Sequence, residues 1–197
     1  LVIVDPNLLK TLPEREMKSA IAEIIKYGAI LDESFFKVIY ENIEKIISIS
    51  NEKLISSIIK KCISLKVNIV SQDETELGKR RILNFGHTIG HALEKHFGFN
   101  ILRHGEAVSY GMLAAGMLSL EYSSFKQKHY KMLEQCIEKL QLQKLPDFIP
   151  KEIIDIMQSD KKNQLGKMNF VLLDNMGSTV IRDDITIDSI INVLEKL

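Results

Sequence analysis

Cysteine is scarce in this chain. Cys62 and Cys136 stand far apart and no C-x-x-C pair occurs, so neither a disulfide framework nor a paired-thiol redox motif is present. They read instead as two buried thiols of a reducing compartment. An excess of one charge is also missing. Lys plus Arg and Asp plus Glu each number 26, which gives no electrostatic footprint for nucleic acid or an anionic membrane. Long apolar runs are absent: the longest weakly polar stretch, residues 107–120, is too short to span a bilayer and contains Ser109, Tyr110 and Ser119. No two of the ten glycines lie closer than four residues apart, so the chain has no G-x-G phosphate loop. No basic segment precedes the apolar start "LVIVD", which therefore does not resemble a signal peptide. These absences lead to the expectation of a soluble, cytoplasmic protein with no nucleic-acid or membrane partner.

What is present is a chain of 197 residues, 45% hydrophobic, enough for one sizeable core without disulfides or a structural metal. "LVIVD" reads as a short buried strand ended by Asp5-Pro6. It has no evident partner strand downstream, which leads to the expectation that the sequence begins inside a larger protein. Helical periodicity dominates the next two-thirds of the chain. Phe36, Ile39, Ile43 and Ile46 recur after a capping residue at Asp32. Leu54, Ile58, Cys62, Leu65 and Ile69 mark a second helix, and Tyr130, Leu133, Ile137 and Leu140 a later one ended near Pro146. Such stripes are how helices bury one face, so core packing explains them.

Residues 104–120 form a different kind of helix, rich in Gly105, Ala107, Gly111, Ala114, Ala115 and Gly116. Glycine costs about 1 kcal/mol relative to alanine inside a helix, so several of them imply that a neighbouring backbone or a ligand passes very close. Near the end, "MNFVLL", "DNMG" and "STVIR" predict a β-hairpin with Gly177 in its turn, followed by a short amphipathic helix over residues 187–197. The fold class expected is mainly α, a multi-helix bundle with a short N-terminal strand and a small β-hairpin.

The chemistry-bearing residues start with "LNFGHTIGHALE", which places His87 and His91 four apart on one helical face. Alone, H-x-x-x-H is weak evidence for metal. The metalloprotease version needs a Glu beside the first histidine, and here that position is Thr88. Two further stretches strengthen it. "RHGEAVSYGM" sets His104 at a helix start, and "AIAEIIKYGA" puts Glu23 and Lys26 three apart in an apolar setting. One Glu and two His make a nitrogen and oxygen donor set suited to catalytic Zn²⁺. Spacing does not choose among His87, His91 and His104.

"TLPEREMKSAIAEIIKYG", "SQDETELGKRRILNFGHTIGHALE", "RHGEAVSYGM" and "DKKNQLGKMNFVLL", in that order, closely resemble the C-terminal half of the 3-dehydroquinate synthase family of the shikimate pathway. The resemblance runs over nearly the whole chain. It implies metal ligands at Glu23, His87 and His104, holding zinc or cobalt, and a substrate-facing, proton-handling role for His91. It implies substrate contacts for Lys26, Lys66, Arg80, Asn84 and a lysine of "DKK", with Lys161 preferred over Lys162. It further implies that Leu8, Leu9, Lys10 and Thr11 touch a nicotinamide cofactor. Two positions depart from the family pattern: Ala20 stands where glycine is common and Lys79 where leucine is frequent. Neither alters an implied ligand.

The implied substrate, 3-deoxy-D-arabino-heptulosonate 7-phosphate, carries a carboxylate and a phosphate, which lysines and an arginine fork can neutralise. In the family NAD⁺ oxidises C5, phosphate is eliminated, the hydride returns and an aldol step closes the ring. Such chemistry needs orientation more than strong nucleophiles, and the sequence offers no Ser–His–Asp or Cys–His arrangement as an alternative. Because the family's nucleotide is held mainly by an N-terminal α/β domain, the resemblance leads to the expectation that this chain, 1–197, is the helical metal and substrate domain. That missing domain would be its partner, a homodimer is possible, and the isolated chain would be inactive. Rival readings are another sugar-phosphate cyclase, a metal-dependent polyol dehydrogenase, or a non-catalytic helical interaction module.

Overall fold

The computed structural model describes residues 3–75, 78–98, 100–162 and 168–197, with residues 160–162 described by backbone alone. Eight α-helices and one hairpin are found among them: α1 Glu14–Leu31, α2 Glu33–Ile47, α3 Glu52–Gln72, α4 His87–Phe97, α5 His104–Tyr122, α6 Gln127–Glu138, α7 Pro150–Lys162, β1 Phe170–Asn175, β2 Ser178–Arg182 and α8 Ile187–Leu194. Short 3-10 turns at Pro6–Thr11 and Lys79–Asn84 precede α1 and α4. The mainly helical bundle with a terminal hairpin agrees with the pattern of the sequence.

Local chemistry explains the element boundaries. Asp32 serves both sides of a corner: its backbone N–H donates to Gly28 at the end of α1, and its carboxylate accepts from the Phe35 N–H at 2.9 Å to cap α2. Gly28 lets the two helices meet closely, since a Cβ there would lie 2.9 Å from Phe36 Cα. At the hairpin, Gly177 adopts φ 82°, a left-handed conformation glycine reaches without penalty, and its N–H donates to the Ala29 carbonyl at 2.8 Å. The hairpin is thereby fixed to the end of α1.

The core lies between α1, α4 and α5, with α2, α6, α8 and β1 around it. Ile21, Ile25, Ile39, Phe85, Met112 and Leu118 are almost wholly buried. Each such side chain contributes roughly 1.5–3 kcal/mol of transfer free energy. Gly105 and Gly111 of α5 meet backbone rather than empty space. A Cβ on Gly105 would sit 2.0 Å from the Ser19 carbonyl oxygen, and one on Gly111 would sit 1.9 Å from that of Gly86. Of the two explanations for that stripe, close approach of a neighbouring backbone is the one the geometry supplies.

Two expectations need correction. Residues 3–5 form no strand, and Ile3 and Val4 are exposed; Leu1 and Val2 lie outside the described residues. A lone extended segment has no ladder partner to satisfy its backbone. The helix carrying Tyr130 stops at Glu138, well before Pro146, because Gln141 takes a left-handed conformation with φ 49°. Leu140, just past that end, is nevertheless fully buried. No described helix is long and apolar enough to cross a membrane.

Candidate metal centre

Three helices deliver the candidate ligands. Glu23 lies midway along α1, His87 opens α4 and His104 opens α5. His87 Nε2 is 3.6 Å from Glu23 Oε1, and His104 Nε2 is 3.7 Å from the same oxygen. The two imidazole centres are 5.3 Å apart. One donor atom from each residue falls within 4.8 Å of the others. Zinc bonds nitrogen and oxygen at roughly 2.0–2.2 Å, which sets tetrahedral donors roughly 3.3–3.6 Å from one another. The observed separations are near that spacing and too long for hydrogen bonds.

Two further features fit a cation at this point. Glu23 Oε1 is buried and has no hydrogen-bond partner among the described residues. A buried acceptor left unpaired costs roughly 1–3 kcal/mol, and more when charged. The other oxygen, Oε2, pairs with Lys26 Nζ at 2.6 Å. The tautomers are also set. His87 Nδ1 is 3.1 Å from the Phe85 carbonyl, which can only accept, so Nδ1 donates and the Nε2 lone pair faces Glu23. His104 Nδ1 donates to Glu94 Oε1 at 3.1 Å with the same consequence.

The electrostatics favour the ligand form of Glu23 and His87, and the protonated form of His104. Burial opposes ionisation of the Glu23 carboxyl, but His104, Lys26 and His87 together draw its pKa down to about 2. Burial, reinforced by the Lys26 ammonium, lowers His87 to about 4, so its imidazole stays neutral. His104 is shifted upward chiefly by the adjacent Glu23 carboxylate, against some burial and with help from Glu94. Lys26 is lowered chiefly by burial and also by the nearby Lys66 charge.

The other sequence-selected residues are distributed around this cluster. His91 stands beside it, its ring 5.1 Å from His87 and 5.9 Å from His104, with its side chain largely exposed. Lys66 lies exposed on α3, close enough to act on Lys26. Arg80 and Asn84 belong to the turn leading into α4, where Asp73 Oδ2 accepts from the Gly78 and Arg80 N–H groups at 2.9 and 2.8 Å. Leu8, Leu9, Lys10 and Thr11 form the first 3-10 turn, and Lys10 pairs with Glu52 on α3 at 2.8 Å. Lys161 is in the last turn of α7, but its side chain lies outside the described residues.

Sequence reasoning gave no role to two carboxylates, Glu106, noticed beside His104, and Glu94. Glu106 is buried, held by a two-pronged contact from Arg15 at 2.8 and 2.7 Å and by the Arg103 N–H. Glu94 is buried between His104 and His91. Its signal was available: positions 87, 91 and 94 follow the i, i+4, i+7 spacing of one helical stripe.

The helical scaffold with a two-histidine, one-carboxylate cluster defines a helical domain with a candidate metal site. Comparison with known proteins makes this specific. Residues 20–163 match the family model described as 3-dehydroquinate synthase C-terminal, and the chain belongs to that family. A 3-dehydroquinate synthase from Rippkaea orientalis is 40% identical over 98% of this chain and 54% of its own length. One from Geotalea uraniireducens is 42% identical over 92% of this chain and 50% of its own length. The chain thus spans about half the length of the curated relatives it matches. Among solved structures, 2-epi-5-epi-valiolone synthase from Streptomyces hygroscopicus, with NAD⁺ and Zn²⁺ bound, superposes with TM-score 0.88 at 20% identity, over 98% of this chain and 54% of that one, which shows shared fold. A 2-deoxy-scyllo-inosose synthase complexed with carbaglucose-6-phosphate, NAD⁺ and Co²⁺ gives 0.82 at 25% identity over the same shares.

Proposed function

We propose that this chain is the metal- and substrate-binding half of a 3-dehydroquinate synthase, and that it converts 3-deoxy-D-arabino-heptulosonate 7-phosphate to 3-dehydroquinate and phosphate only when joined to a nucleotide-binding domain. The observation that carries the reading is the buried Glu23 Oε1, without a hydrogen-bond partner among the described residues, facing the Nε2 atoms of His87 and His104. Relatives about 40% identical that bear this enzyme's name favour the 3-dehydroquinate reaction over that of the inosose synthase, at 25% identity.

Glu23, His87 and His104 would hold Zn²⁺ or Co²⁺, and NAD⁺ would be carried mainly by the nucleotide-binding domain, with residues 8–11 touching it from this side. When bound, the metal supplies Lewis-acid polarisation of substrate hydroxyls, and NAD⁺ accepts and returns one hydride, so the net conversion is redox-neutral.

The chain's own residues do the rest. Lys26, with its buried ammonium, together with Lys66 and Arg80, neutralises the substrate's carboxylate and phosphate and fixes the sugar's direction in the cleft. Lys26 also holds Glu23 Oε2, which leaves Oε1 aimed at the histidines. Asn84 supplies a neutral amide for hydroxyl groups, and Lys161 a further cation. His91, exposed beside the cluster, holds or moves a proton at its ring nitrogen during enolisation and ring closure.

The test is a coupled assay of dehydroquinate and phosphate release with NAD⁺, Zn²⁺ and a panel of sugar phosphates. We expect no turnover from this chain alone, and turnover of the heptulosonate phosphate once a nucleotide-binding half is supplied. Turnover by the isolated chain contradicts the half-enzyme reading. A preference for hexose 6-phosphate in the joined protein contradicts the substrate.

A further inference from the structure

Within that proposed metal centre, we infer that Glu94 is the positioning residue that makes His104 a metal ligand. The two histidines facing Glu23 are held in different ways. His87 is largely buried and its Nδ1–H is fixed by a backbone carbonyl. His104 is the first residue of α5, and its side chain is about half exposed. Packing alone therefore leaves its ring free to turn, and a half-exposed imidazole has no intrinsic preference for presenting Nε2 to Glu23.

Glu94 removes that freedom. It projects from α4, its side chain is only 6% exposed, and its Oε1 accepts from His104 Nδ1 at 3.1 Å. The His104 ring is thus strung between two carboxylates, with Glu94 at Nδ1 and Glu23 3.7 Å from Nε2. The second Glu94 oxygen lies 3.9 Å from His91 Nε2, so the same carboxylate borders the histidine assigned to proton handling. A carboxylate accepting from the far nitrogen of an imidazole fixes its tautomer and orientation and raises its basicity as a ligand. Burial of Glu94 on the helix that also carries His87 makes that anchor rigid.

The test uses the full chain with Zn²⁺ alone as probe. Competitive chelator titration should show that Glu94→Ala weakens zinc binding by roughly 10- to 100-fold, with Glu94→Gln, which keeps an acceptor oxygen without the charge, losing less. Nitrogen-15 NMR of the metal-free chain, histidine-labelled and at about pH 8.5 so that unperturbed imidazoles are neutral, reads the tautomer directly. His104 should be the Nδ1–H form in the native chain and a mixture in Glu94→Ala. A purely structural role for Glu94 would lower thermal stability but move neither readout. Native zinc affinity in Glu94→Ala, or an Nε2–H tautomer of His104 in the native chain, overturns the inference. Should Glu94→Ala not fold, the native tautomer and the Gln variant decide. Zinc loss in His87→Ala without loss in Glu94→Ala refutes this role alone. Zinc binding that survives His87→Ala refutes the metal-centre reading itself.

Discussion

α5 and α3 are of similar length but are built on opposite principles. α5 buries twelve of its residues and carries Gly105 and Gly111 against the backbones of α1 and of the turn before α4, with Gly116 against the Tyr130 ring. α3 buries three, Ile55, Ile58 and Ile69, and leaves Ile63 and Val67 exposed. The difference separates two tasks. α5 sets His104 at a fixed point relative to Glu23 and His87, so its packing tolerates little change. α3 presents Lys66 and supports the N-terminal turn, which asks only that its inner edge stay attached.

The comparison can be broken hardest at Gly111. Gly111→Ala forces a methyl to within 1.9 Å of the Gly86 carbonyl oxygen, and that atom is backbone that cannot rotate away. Overpacking of this kind costs roughly 1–3 kcal/mol and here should reach or exceed the upper end. Thermal or urea unfolding should show the largest loss of any single methyl addition. An unchanged midpoint would mean that the α4–α5 contact is not rigid.

A smaller effect is expected where α3 is attached. Asp32 caps α2 and pairs with Lys61 of α3 at 2.7 Å. Asp32→Ala should cost about 1 kcal/mol, mostly through the lost cap. The Lys61 ammonium holds the Asp32 carboxyl below its ordinary value, aided by the Phe35 and Ser34 N–H groups. A depressed carboxyl contributes stability above its unfolded pKa of about 3.9, and that contribution fades as pH falls through the lower folded value. The gap between native and variant stability should therefore be full near neutrality and narrow only below about pH 4. A gap that persists unchanged into acid would assign the effect to packing instead.

Much of this was legible in the sequence for reasons that can be named. The stripe of Phe36, Ile39, Ile43 and Ile46 and its cap at Asp32 are local signals, and the structure reproduces both. So does the Gly177 hairpin, whose register is set within a few residues. The stop of α6 was less legible, because Gln141, which takes the left-handed conformation there, is a residue without a strong turn preference. In the candidate site, the sequence pointed to Glu23, His87 and His104 through the family pattern, while the periodic placement of Glu94 went unread. A buried carboxylate on a helix looks like any exposed Glu until the neighbouring helix is in place. Glu106 was hidden in the same way, since Arg15, its partner, lies ninety-one residues earlier.

The most direct measurement is zinc stoichiometry and affinity in the native chain set against Glu23→Gln, which preserves shape and removes the charge. One equivalent of zinc bound to the native chain, with affinity greatly reduced in Glu23→Gln and cobalt substituting with a low-coordinate visible spectrum, is the predicted result. Equal zinc binding by both proteins, or none by either, would contradict the convergence of these three side chains on a single ion.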